Sequence, residues 1–193
     1  MPLTPFHLGP SLWLGLLFFR FIHLIAFLMG SIIVDIEPLI VIIFGLDYPL
    51  HGFFHSFLGG TIVAGLLSVV LYYLQDKICA ISRFFKLDQK RSFIIILLSC
   101  LLGVYSHIIL DSFLYTDIKP FFPLDINPFY GFLDYNFVYT SCAVSFLLGG
   151  LFYLVKLTRG RLHLFFKVIS IIAFILFLVL LWILFNLQIP EYF

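Results

Sequence analysis

The sequence predicts an all-α, polytopic bundle of membrane-spanning helices. Three observations predict it: 63% of the 193 residues are hydrophobic, only 11% are charged, and mean hydropathy is +1.16. Soluble domains hold roughly 45–50% apolar residues, so the surplus here has to face lipid. In lipid, only helices and closed barrels satisfy every backbone N–H and C=O. The apolar runs extend for about 18–24 residues without period-two alternation, the length of a spanning helix and not the pattern of a barrel strand.

Charges, Pro and Gly clusters and window length divide the chain into about six hydrophobic segments: 9–22, 24–45, 54–75, 92–115, 137–156 and 165–187. They form a single membrane domain over 1–193, with the chemistry-bearing residues in 1–125 and C-terminal helices over 137–187. The first segment is short and ends at Arg20 and His23, which leaves a full span, a half-span and an interfacial helix open. The second holds Asp35, Glu37 and Pro38, the third begins at His51 and His55, and the fourth carries His107 and Asp111. The fifth and sixth offer few ionisable groups. Glycines such as Gly30, Gly60, Gly103 and Gly149 let neighbouring helices approach closely.

Lys and Arg fix the expected orientation, because they resist translocation. Lys77, Arg83, Lys86, Lys90 and Arg91 lie in one connection and Lys156, Arg159, Arg161 and Lys167 in another, so both connections are expected in the cytoplasm of a multi-pass cell-membrane protein. Arg20 joins them, Lys119 falls opposite, and both termini then face outward. The N-terminus lacks a basic n-region and is expected to be retained. Cys79, Cys100 and Cys142 have no paired spacing and are read as small buried hydrophobes. A net charge of +1 without a basic tract excludes nucleic acid as a partner class.

Ionisable groups at membrane depth are costly unless paired, hydrated or metal-bound. In the expected topology His7, Asp35, Glu37, His51, His55, His107 and Asp111 all lie toward the outward face. His51 and His55 are four apart, as are His107 and Asp111, a spacing that puts each pair on one helical face. Asp35 and Glu37 diverge on a regular helix, and distortion at Pro38 is the expected device for turning both into one cavity. Imidazoles with carboxylates form a ligand set for zinc, manganese or iron, one or two ions. Each pair alone is equally an interhelical hydrogen-bonding device; their occurrence together on one side favours the metal. His23 and His163 adjoin the basic clusters and are read as interfacial.

These residues fall in short ordered motifs: Phe6-His7-Leu8, Val34-Asp35-Ile36-Glu37-Pro38, Leu50-His51-Gly52-Phe53-Phe54-His55-Ser56 and Ser106-His107-Ile108-Ile109-Leu110-Asp111, followed by Lys119-Pro120-Phe121-Phe122-Pro123. Over roughly residues 5–125 the chain resembles the YdjM-type inner-membrane metal-dependent hydrolases and, more remotely, the zinc-dependent phospholipase C proteins. The resembling pattern has Asp where Glu37 stands, His where Pro38 and Leu50 stand, and Arg where His51 stands. The resemblance implies metal-dependent hydrolysis; the ligands expected from the residues themselves are His7, Asp35, His51, His55, His107 and Asp111, of which His51 departs from the resembling pattern. Glu37 is expected as a bridging ligand or general base, with Asp35 also in the catalytic set. The connection Thr116–Asn136 is either a cover for the site or an interfacial loop, and its Lys119 either attracts an anion or snorkels. A phosphoester or other ester of a lipid-like or anionic substrate at headgroup level is the expected target. The alternative is a divalent metal-ion transporter or channel using the same ligands.

Overall fold

The computed structural model describes residues 4–158 together with scattered positions between 165 and 179. The described chain is helical throughout its regular structure, as the composition predicts. A 3-10 turn, Thr4–His7, leads into α1 (Leu8–Leu17). Helices α2 (Leu24–Ile33) and α3 (Ile36–Phe44) follow, then a 3-10 turn at Phe53–His55, α4 (Phe57–Phe84), α5 (Phe93–Ser112) and α6 (Tyr135–Thr158).

Four helical stretches among the described residues are long and apolar enough to cross a membrane: Leu24–Phe44, Phe57–Phe84, Phe93–Ser112 and Tyr135–Leu157. Of the about six expected segments, the second to fifth are these stretches, and among the described residues the first is corrected to a shorter element. The first predicted segment is a ten-residue helix, which at 1.5 Å per residue reaches only about half of the ~30 Å hydrocarbon core. The sixth, 165–187, lies largely outside the described residues. The outward faces carry apolar side chains where a soluble protein would carry charges, among them Leu66 (66% exposed), Tyr73 (80%) and Leu147 (73%), as a bilayer solvent requires.

Helix α5 is the central post. Helices α2 and α4 pack against it, while α1 runs along α6. The α2–α5 contact is a backbone approach, possible because Gly30 and Gly103 face each other's helices. A Cβ at Gly30 would lie 2.5 Å from the Cys100 carbonyl oxygen, and one at Gly103 would lie 2.4 Å from that of Phe27. Between α2, α4 and α5 lies a fully buried apolar layer of Ala26, Val34, Ala64, Ile96, Cys100, Val104 and Ile108.

The two ends of the bundle differ in chemistry. At one end the α4–α5 connection folds over the α1–α2 turn. The Gln89 side chain donates to the carbonyls of Phe19 (2.7 Å) and Ile22 (2.9 Å) and accepts from the Leu24 amide (2.8 Å). It satisfies groups that the end of α1 and the start of α2 leave open. His23, read from the sequence as interfacial, is the buried N-cap of α2, its Nδ1 accepting from the Ala26 amide at 3.1 Å. Arg91 donates to the Phe19 carbonyl (3.2 Å) and Lys156 sits 3.0 Å from the centroid of the Phe19 ring. Arg91 of the first basic connection and Lys156 at the start of the second therefore meet at this end. The opposite end holds His7, the 45–56 connection and the 113–134 connection.

Candidate metal centre

At that second end, three stretches of chain deliver four ligand-type side chains to one point. Asp35 sits at the break between α2 and α3, His55 closes the 3-10 turn before α4, and His107 and Asp111 lie one turn apart near the end of α5. Each offers one ligand atom, and these atoms all fall within 4.8 Å of one another. His55 and His107 are 0% exposed and Asp111 2%.

Asp35 Oδ1 lies 3.4 Å from His107 Nε2 and 3.8 Å from His55 Nε2, and Asp111 Oδ2 lies 3.2 Å from His107 Nε2. Ligand atoms about 2.1 Å from a tetrahedral ion are separated from one another by about 3.4 Å, so these spacings suit a single ion.

The far nitrogens of the imidazoles sharpen the point. His107 Nδ1 donates to the Ser31 carbonyl at 2.7 Å, and a carbonyl only accepts, so the proton of a neutral ring is on Nδ1 and Nε2 presents a lone pair. His55 Nδ1 bonds Glu37 Oε2 at 2.9 Å, with the same consequence. Both Nε2 atoms are buried and have no hydrogen-bond partner. Lone pairs aimed at carboxylates repel unless a cation stands between them, so the donor set fits a divalent metal.

Glu37, expected as a bridging ligand or general base, is turned to other work. Besides His55 it accepts from the amides of Gly52 (3.0 Å) and Phe54 (3.1 Å). Its oxygens are committed to the loop and to the outer nitrogen of His55, which places Glu37 behind a ligand and not among the four. Asp35 and Glu37 do converge, as the Pro38 argument requires, but from opposite sides of one imidazole. The helix break that allows this falls at Val34–Asp35, and Pro38 lies in the first turn of α3, where a missing N–H costs little.

His51 also departs from expectation. Neither His51 nor His55 lies on α4, which begins at Phe57, so the helical-face argument for that pair does not hold. His51 lies outside the group of four, its Nδ1 3.0 Å from both oxygens of Asp117 and its ring edge-on to His55 with centroids 4.8 Å apart. Burial pushes its pKa below the ordinary value, helped by neighbouring His55 and opposed by Asp117. His7 is likewise a neighbour of the group: its Nε2 is 3.2 Å from Asp111 Oδ1 and its ring stacks on His107 at 4.0 Å.

Lys119 stands apart from the four, half-exposed and paired with Asp125 at 2.9 Å. With Tyr48, His51, Asp117 and Phe122 it lines a cavity of about 430 Å³. Tyr115 and Asp117 are additions that the sequence did not single out. Tyr115 packs its ring on His51, with centroids 4.4 Å apart, and its hydroxyl is buried without a hydrogen-bond partner. The only available signal was their position four and six residues after Asp111, where the chain leaving α5 passes the site.

No family model, no curated protein and no solved structure matches the chain, and the centre is defined by its own geometry: two aspartates and two histidines at the end of a helical membrane bundle.

Proposed function

We propose that the protein is a membrane-embedded metal-dependent hydrolase acting on a phosphoester or other ester of a lipid-like substrate at the extracytoplasmic headgroup level. The observation that carries this reading is the pair of bare, buried Nε2 atoms facing Asp35 and Asp111. Zinc is the metal favoured by imidazole with carboxylate, and the resemblance to the YdjM-type hydrolases points the same way. A divalent ion held there supplies Lewis acidity and water activation.

The chain's own groups divide the remaining work. Asp35, His55, His107 and Asp111 hold the ion, Glu37 and the Ser31 carbonyl fix the two imidazoles in the tautomer that can bind it, and His7 steadies Asp111. Lys119, at the neighbouring cavity, attracts the anionic part of a substrate. Hydrolysis forms a bond from the water oxygen to phosphorus or acyl carbon and breaks the ester bond, the water proton passing to the departing oxygen. Depth supports a lipid. Helix α5 has 20 residues, about 30 Å, so its end, where Asp111 lies, is at the edge of the hydrocarbon core.

An ion conduit would use the same ligands but needs polar groups continuing to the other face. The apolar layer of Ala26, Val34, Ala64, Ile96, Cys100, Val104 and Ile108 speaks for the hydrolase. Elemental analysis of the detergent-purified protein tests the centre: about one zinc or manganese ion per chain is expected, lost in His107→Ala. A phospholipid and phosphoester panel is then expected to be hydrolysed by the wild type and not by His107→Ala or Asp111→Ala. Equal metal content in wild type and variant would end the reading, as would equal turnover.

A further inference from the structure

A second cavity, of about 490 Å³, lies between α1, α5 and α6, with Ala173 of the C-terminal segment also in its lining, and its walls are almost wholly apolar. We propose that it seats one acyl chain of a membrane lipid; on the hydrolase reading above, on which this last step rests, that lipid is the substrate.

Three observations carry the assignment. The first is solvent: the cavity is cut into membrane-spanning α5 and α6, at a depth where an apolar space does not recruit water and the surrounding medium is hydrocarbon. The second is dimension. Its lining on α6 runs from Phe137 to Leu148, eleven rises of 1.5 Å or about 16 Å, close to half of the ~30 Å hydrocarbon core and hence to one leaflet of chain. The third is continuity with the metal centre. Ser106 and Leu110 of α5 line the cavity and are the immediate neighbours of His107 and Asp111, while Pro10 of α1 follows His7 by about one turn. A lipid with its chain along this groove has its ester group at the level of the four ligands. The Ser106 hydroxyl bonds its own helix at the Gly103 carbonyl (2.7 Å) and does not oppose an apolar guest.

Trp13 provides the readout. It lines the cavity, is only 5% exposed, and is one of two tryptophans in the chain. In a Trp182→Phe background, reconstituted into phosphatidylcholine vesicles with chains brominated at mid-length, Trp13 fluorescence should fall several-fold relative to unbrominated vesicles. Ser141→Phe, which fills the groove, should at least halve that quenching while circular dichroism stays helical. Ser145→Phe is the second obstruction if the first fails to fold. Weak quenching, or quenching indifferent to both obstructions, would overturn the proposal and leave a wall covered by protein. Strong, groove-dependent quenching without hydrolysis of any phospholipid would keep the chain site and remove the hydrolase.

Discussion

His55 and His107 each commit Nδ1 to an acceptor, and that commitment determines what Nε2 can do. Glu37 is therefore expected to matter through His55 without touching the ion. Glu37→Gln keeps the shape but replaces the charged acceptor of the Nδ1 proton, and metal affinity is expected to fall by roughly 10–100-fold. Competition with a chromophoric chelator measures this, and an unchanged affinity would show that the orientation of His55 is fixed by other contacts. The His107 and Asp111 pairing was legible in the sequence because both lie on one regular helix, where a spacing of four has a single meaning. The roles of Glu37 and His51 were not. They depend on the 45–56 connection folding back so that the Gly52 and Phe54 amides meet a carboxylate fifteen and seventeen residues earlier, and no helical periodicity encodes that return.

Among the elements, the α2–α5 seam does most to set the centre, because Ser31 on α2 orients His107 on α5. Gly103→Ala places a methyl against the Phe27 carbonyl and pushes the helices apart. It is expected to cost roughly 1–3 kcal/mol, lower the thermal midpoint, and reduce metal binding in the same preparation. A variant with wild-type melting and metal content would show that the seam yields without loss. Gln89→Ala removes three hydrogen bonds from the α1–α2 turn and is expected to destabilise by roughly 1–3 kcal/mol while leaving metal stoichiometry intact, since the turn lies at the far end. Thermal unfolding in detergent, with metal analysis alongside, separates the two variants. The spans beginning at Leu24, Phe93 and Tyr135 start within two residues of the positions expected from hydropathy. Helix α1 differs because the window counted Phe18 to Ile22 as apolar length, whereas the chain turns there and Gln89 holds the turn.

For the molecule as a whole, the separation of a basic end from an acid–imidazole end gives the expected orientation a test. With the native cysteines replaced, a membrane-impermeant maleimide applied to intact cells should label Asp125→Cys at the site end and spare Lys86→Cys at the basic end. The reverse pattern would invert the protein in the bilayer and move the proposed chemistry to the cytoplasmic leaflet.

The apolar layer packed beneath the four ligands also governs supply. With Ile96, Val104 and Ile108 fully buried on α5 alongside His107, an ion held by the four ligands is expected to exchange with one compartment only. Occupancy then follows the free-metal level of that compartment alone. In sealed proteoliposomes, a chelator confined to the site's side should strip the centre, whereas one trapped on the other side should leave it loaded.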